Sequence, residues 1–306
     1  MTTPSHRSGD PLADRRADYA EAYAKAGDAA AAADLMRQAL DLAPDWPLGR
    51  MRLASFLEES GAAGDAARVY EAVAAADPAD PYGAGLKLAA LGQAPAPAAP
   101  PPRFVAGLFD QYAASFETQL VERLGYRVPE TLFAALMEAA GAGARFARAL
   151  DLGCGTGLMG QRLRPVSDRL DGIDLSAGML EKARAKGIYD ALTEGDVLEA
   201  RSGDGSLYDC IAAADVLTYL GDLAPVFARV ASLLAPGGLF AFSVEADDGA
   251  NGFALKPSLR YAHAPAELAG MLREAGFELQ LDRRTELRRD RGEPVPGALM
   301  VARREG

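Results

Sequence analysis

Hydrophobic and polar positions follow one rhythm before a proline-rich stretch and another after it. From Ala17 to about Gly92 the chain is rich in alanine, and its apolar residues recur at helical spacing. Beyond Arg103, helical stretches at Val105–Leu124 and Val128–Ala140 give way to short apolar runs. These are Arg148–Leu152, Leu170–Asp174, Ala191–Glu194, Tyr208–Ala213 and Leu239–Val244. A loop and a helical pattern follow each of the first four, which predicts parallel strands with helices on both faces of one sheet. The end is different: Glu278–Leu287 and Ala298–Arg303 are extended stretches joined by a Gly/Pro-rich segment at 291–296. So short a connection joins antiparallel strands.

The helical part repeats itself. Gly27 and Gly61 stand 34 residues apart, as do Pro44 and Pro78, Tyr23 and Leu57, Ala33 and Ala67, and Met36 and Tyr70. A glycine closes the first helix of each unit, small residues let the second pack closely, and a proline ends it. The pattern resembles a tetratricopeptide repeat, with about two units and a capping helix at Tyr82–Leu91. Residues 93–102 hold prolines at 95, 97, 100, 101 and 102 and are expected to form a semi-stiff extended spacer. The expected organisation is a loose, disordered tail over 1–16, repeats over 17–92, a linker over 93–102 and a catalytic domain over 103–306.

Composition narrows the function. The chain has 306 residues, 49% of them hydrophobic, enough for one large and one small domain. Its formal net charge of −11 disfavours a nucleic-acid partner. Two cysteines, Cys154 and Cys210, are too few for a disulfide framework or a cysteine-rich metal site, and both read as buried fillers. The chain shows neither a membrane span nor the apolar stretch of a signal peptide, so a cytoplasmic protein is expected.

The first strand runs into a loop with glycines at 153, 155 and 157, ahead of a helix. Such a loop turns tightly, lets a ligand approach bare backbone, and leads to helical amides that favour an anionic group. With Asp151 before it, the loop resembles the first motif of class I S-adenosylmethionine-dependent methyltransferases. Leu170–Ser176 resembles their second-strand motif, and Glu194–Val197 their adenine-binding corner. Residues 209–220 resemble the fourth-strand motif, and Leu233–Leu239 the turn before the fifth strand. The resemblance implies a Rossmann-like, seven-stranded, mostly parallel sheet with a C-terminal antiparallel hairpin, an α/β fold behind a small all-α repeat domain. S-adenosyl-L-methionine is the implied cofactor. Asp151, Gly153, Gly155 and Gly157 are expected to lie against its methionine part, Asp174 and Leu175 at its ribose, and Met179, Asp196 and Val197 at its adenine. Asp215 would open the acceptor side. Gly155, Gly157 and Gly160 with Asp174 also satisfy the dinucleotide-binding pattern of an NAD-dependent oxidoreductase. Asp151, Asp196 and the terminal hairpin favour the methyltransferase.

The acceptor is harder to read. Methyl transfer needs mainly a close and aligned donor and acceptor. The fourth-strand motif here is Asp215-Val-Leu-Thr218, unlike the Asn/Asp-Pro-Pro-aromatic motif that goes with adenine or glutamine amide acceptors. A small molecule or a carboxyl- or hydroxyl-type acceptor is therefore expected. Of two histidines, His6 lies in the tail, and His263 is the candidate general base. Arg127, Tyr219, Arg260 and Tyr261 are candidate substrate ligands. Residues 108–116 resemble the helix that lids the cofactor in small-molecule methyltransferases, with Tyr112 reaching its carboxylate. Phe109, Tyr112 and Phe116 also fit a plain core stripe. The repeats would either recruit a protein partner or substrate, in a protein methyltransferase or a cofactor-binding interaction protein, or serve as an assembly arm.

Overall fold

The computed structural model describes residues 7–113, 116, 117, 126–290 and 292–306. His6 and much of the stretch 114–125 therefore lie outside the described residues. The chain divides into two compact units, residues 1–97 and 98–306.

The first unit is all helical. α1 (Pro11–Lys25) starts on Asp10, whose side chain accepts from the Leu12 and Ala13 amides, with Pro11 in the first turn. The expected loose tail is thus corrected: helix begins at residue 11, because an acidic cap and a helix-initiating proline precede an apolar stripe. α2 (Ala29–Leu42), α3 (Pro47–Glu59), α4 (Ala63–Ala76) and α5 (Ala84–Ala90) follow. α1, α3 and α5 end alike. Gly27, Gly61 and Gly92 adopt positive φ, and the amides of Asp28, Ala62 and Gln93 reach back to the carbonyls of Tyr23, Leu57 and Leu88. The glycine period in the sequence is therefore the period of a helix stop. Ala33, Ala67, Met36 and Tyr70 are all buried, as their matched spacing requires. Tyr23 is exposed while its counterpart Leu57 is buried, because α1 stands at the end of the described stack.

The second unit takes in part of the proline stretch. Gly221 and Asp222 both donate their amides to the Ala98 carbonyl, at 2.8 and 3.0 Å, and Pro100 is buried. The expected spacer is thus partly a strap on the sheet unit. Proline-rich backbone lacks donors but keeps its carbonyls, and these accept from the loop beneath. α6 (Pro102–Tyr112) and α7 (Val128–Ala140) precede β1 (Phe146–Leu152), α8 (Leu158–Leu163), β2 (Ser167–Asp174), α9 (Ala177–Ala185), β3 (Ala191–Glu194) and β4 (Tyr208–Ala213). Then come α10 (Ala224–Leu233), β5 (Leu234–Ala246), β6 (Phe253–Leu255), β7 (Tyr261–His263), α11 (Pro265–Glu274), β8 (Phe277–Asp290) and β9 (Glu293–Arg304).

Strands β3-β2-β1-β4-β5 lie side by side and parallel. β9 runs antiparallel to β5 and pairs with β8. The hairpin connection is shorter than 291–296, because β8 and β9 extend to Asp290 and Glu293. The sheet has nine strands among the described residues, two more than expected. β6 and β7 are the additions. β7 pairs with Glu245 and Ala246 of β5, and Glu245 also pairs with Gly297 of β9 on the opposite edge. β7 therefore lies beyond the end of β4, at the carboxyl ends of the parallel strands where ligands of such sheets bind. Both faces are covered. Ile211 and Ala213 join α10 and α11 in one apolar core, while Cys210 and Ala212 join α7 and α8 in the other.

The chain's one tryptophan, Trp46, lies buried in the repeat unit against Gly49, so its fluorescence reports that unit's unfolding. Phe56 is fully buried in the same core. Phe56→Ala is expected to cost the repeat unit about 3–5 kcal/mol. Denaturant titration followed at Trp46 measures this, and a loss below about 1 kcal/mol would contradict a close-packed repeat core.

Candidate active site

The loop after β1 is built for close approach. Gly153, Gly155 and Gly157 have φ of 72°, 53° and 94°, and a Cβ on Gly153 would stand 2.6 Å from Val216. Its shape is held by β2: the amides of Gly153 and Cys154 donate to the Ile173 carbonyl, each at 2.9 Å. Asp174 then ties loop to helix. One of its oxygens accepts from the Gly155 amide and the other from the Ser176 amide, both at 2.8 Å. Each oxygen keeps a further lone pair for a hydroxyl. Burial pushes the Asp174 carboxyl up, and the two backbone donors restrain it. Ser176, not Asp174, caps α9, accepting from Met179 at 3.0 Å.

Tyr189 fills the space beneath the loop. A Cβ on Gly160 would stand 2.1 Å from its hydroxyl, and one on Gly172 would lie 3.0 Å from its ring. That hydroxyl donates to Asp151 at 2.7 Å. Asp151 is almost wholly buried, and burial pushes its carboxyl up to about 7. Asp196 turns the chain after β3 by accepting from the Leu198 amide at 2.9 Å. Asp151, Gly153, Gly155, Asp174, Leu175, Met179, Asp196 and Val197 all line one cleft, and Gly157 starts α8 beside it. The cleft opens to solvent, and about 1100 Å³ of empty space lies in it and its mouth together.

α6 covers this cleft and is pinned by Asp110, which accepts from the Ser176 hydroxyl at 2.5 Å and the Gly178 amide at 3.0 Å. Phe109 and Phe116 line the cleft, whereas Tyr112 is 46% exposed and does not. α6, which carries Phe109 and Tyr112, is pinned through Asp110 with Tyr112 turned out of the cleft, so the expected reach of Tyr112 to the cofactor is corrected.

The other end of the cleft holds charge. Asp215 follows β4 with φ 60°, a conformation rare for a non-glycine residue. Its amide donates to the Ser243 hydroxyl at 2.8 Å. Arg288 from β8 donates to Asp215 at 3.3 Å and, closer, to Glu245 of β5. Tyr219 and Arg260 line the cleft, with the Arg260 Nε donating to the Tyr219 hydroxyl at 3.1 Å.

Three expected residues stand elsewhere. His263 is buried in β7, where its Nε2 donates to the Gly221 carbonyl at 3.0 Å, and burial holds its pKa below the ordinary histidine value. It does not line the cleft and is corrected from general base to a buried strand residue. Tyr261 is fully buried against Phe253, and Arg127 is exposed outside the cleft. Strand alternation accounts for the first two: β7 packs its side chains between β5 and the loop at Gly221, where a Cβ would meet Phe253 and Tyr261. Tyr189, Asp110, Glu245, Arg288 and the strap residues Ala99, Pro100 and Pro102 contribute to the site without having been expected.

Asp151 gives a pH test. Its folded value of about 7 lies above that of an ordinary aspartate, so ionisation penalises the unliganded fold progressively from about pH 4 to 7, and fully above that. Asp151→Asn removes the penalty. Melting scans are expected to show the variant more stable than the parent near pH 8, with the gap closing toward about pH 4. A gap independent of pH would refute the shifted carboxyl.

Comparison with known proteins agrees with this geometry. Residues 150–240 match a family model described as a methyltransferase domain, and residues 23–90 match a tetratricopeptide repeat model. A ubiquinone biosynthesis O-methyltransferase of Thiobacillus denitrificans is 33% identical over 155 residues, 44% of this chain and 65% of that protein. A malonyl-[acyl-carrier protein] O-methyltransferase of Yersinia pestis is 34% identical over 98 residues, 32% of this chain and 36% of that protein. The chain thus spans less than two thirds of these curated relatives. Among solved structures, the N-methyltransferase NodS of Bradyrhizobium japonicum, in complex with S-adenosyl-L-homocysteine, superposes with a TM-score of 0.53 at 19% identity, covering 66% of this chain and 98% of its own. A Burkholderia thailandensis 1,6-didemethyltoxoflavin-N1-methyltransferase gives 0.54 at 22% identity, covering 70% and 94%. Residues 23–90 are therefore tetratricopeptide repeats, and the sheet unit carries a methyltransferase domain with the fold of S-adenosylmethionine-dependent enzymes.

Proposed function

We propose that this chain transfers a methyl group from S-adenosylmethionine to an oxygen or nitrogen of a small molecule. One observation carries the reading. Asp174, at the end of β2, and Asp196, just after the adjacent β3, stand beside the bare-backbone loop that follows β1, and both line the same cleft. The residues fit the cofactor: Asp174 keeps acceptor capacity for two ribose hydroxyls, Asp196 and the buried Met179 stand at the adenine side, and Asp151 offers a carboxylate to an ammonium group. When bound, the cofactor supplies a methyl group on a cationic sulfur. The chain's own part is to hold the acceptor in line and to exclude water, a task that suits Phe109 of α6, Phe116 beyond it and the strap at Ala99 and Pro100, all of which line the cleft. The two curated relatives described above are O-methyltransferases, which supports a heteroatom acceptor.

We read the repeats as a partner-binding arm, on the observation that Leu12, Tyr19 and Tyr23 stand exposed on one face of α1. A cytoplasmic setting belongs to the same reading. Among the described residues no helix is long and apolar enough to cross a membrane.

Titration calorimetry tests the cofactor assignment. S-adenosylhomocysteine is expected to bind and NADH not. Asp174→Ala should weaken S-adenosylhomocysteine binding about tenfold or more, since it removes charge-assisted hydrogen bonds and loosens the loop. Binding of NADH with comparable affinity would replace this reading with the oxidoreductase.

A further inference from the structure

We propose that Arg260 selects the acceptor, and that the acceptor is a molecule with an apolar or aromatic body bearing a carboxylate. The inference rests on the methyltransferase reading above and names the substrate class of that site.

Four charged groups stand at the acceptor end: Asp215, Glu245, Arg288 and Arg260. Arg288 takes both acids. It is buried and donates to Asp215 from Nη1 and to Glu245 from Nη2, pairing with both carboxylates through one fork. Arg260 joins that arrangement only at its edge, as an ion pair of its Nη1 with Glu245 at 4.0 Å. Among the described residues its hydrogen bond goes from Nε to the Tyr219 hydroxyl, whose ring lies 5.5 Å from the guanidinium carbon. The Nη1 and Nη2 groups have no hydrogen-bond partner among the described residues. A guanidinium cannot shed its charge, and this one has only 23% of its side chain exposed. Its open donors border a cleft walled by Phe109, Phe116 and Tyr126. A planar anion is the ligand such a fork accepts in two parallel hydrogen bonds.

The backbone holds Arg260 there at a cost. Leu259, just before it, has φ 61°, strained for a leucine. The turn is closed by the Lys256 amide on the Arg260 carbonyl and by the Leu259 amide on the Lys256 carbonyl, both at 2.8 Å. Lys256 is itself paired with Asp247. Among the described residues, Asp215 and Leu259 are the non-glycine residues of the sheet unit with positive φ, and both lie next to this group of charges. Strain of this kind persists where surrounding structure imposes it, commonly at ligand sites.

Charge balance points the same way. The two acids and two arginines sum to zero, so a carboxylate entering beside Arg260 leaves one negative charge, opposite in sign to a methylsulfonium in the same cleft. An apolar cleft strengthens that attraction. A neutral acceptor would gain only uncharged hydrogen bonds from Arg260, and a cationic one would be repelled.

The test uses the full chain saturated with S-adenosylhomocysteine. Binding of octanoate and benzoate is measured by calorimetry and by shift of melting temperature, beside octanamide and benzamide. The acids are expected to bind about tenfold or more tightly than their amides. Arg260→Leu should erase that preference, and Arg260→Lys should keep part of it, while S-adenosylhomocysteine affinity stays unchanged in both. Amides binding as well as acids, or a preference that survives Arg260→Leu, would overturn the proposal. Failure to bind S-adenosylhomocysteine at all would instead overturn the methyltransferase reading, so the two outcomes are distinguishable.

Discussion

The Asp174 carboxylate joins the backbone of the glycine loop to the start of α9, and the cleft takes its form from that junction. Without it, three positive-φ glycines at alternate positions would leave the loop free to sample many shapes. With it, Gly155 is anchored on one oxygen and Ser176 on the other. α9 then presents Ser176 and Gly178 to Asp110, which fixes the lid helix over the loop. A chain of short hydrogen bonds thus runs from the end of β1 through β2 and α9 to α6. Each link uses a group that would otherwise be a buried unsatisfied donor or an exposed helix end.

The two ends of the cleft are governed by different electrostatics. At the loop, acids are buried with few positive neighbours, so they are harder to ionise, and Asp151 and Asp174 are both pushed upward. At the far end acids and arginines stand together, and Arg288 pairs with both carboxylates. The first arrangement suits a ligand that brings positive charge with it. The second leaves one cation facing the cleft.

Much of this was legible before any coordinates, where the signal is local. The glycine loop announces itself because only glycine tolerates its backbone, and the acids at 151, 174 and 196 follow because each ends a strand of readable length. The repeat was legible because Gly27 and Gly61 must both be left-handed to stop a helix. What escaped depends on neighbours distant in sequence. β6 and β7 are three residues each, too short to show any period. Arg288 sits where alternation would turn one of two adjacent residues outward, yet a bulge between Glu286 and Arg288 lets both Leu287 and Arg288 face inward. Tyr189 reads as an ordinary loop residue, because its meaning lies in the gaps left by Gly157, Gly160 and Gly172. His263 stands out in the sequence for its chemistry alone, and chemistry does not say which way a strand residue points. Proline composition describes the stiffness of the spacer and says nothing of the carbonyl on Ala98 that accepts from Gly221 and Asp222.

Asp151 couples the cleft to its medium. If the proposed ligand sets an ammonium group against it, a carboxyl half protonated near neutrality gives up its proton. Ligand uptake from a mildly acidic solution is therefore also proton export, and the heat it releases contains the buffer's own enthalpy of protonation. Affinity measured at one pH is a property of the protein and its surroundings together.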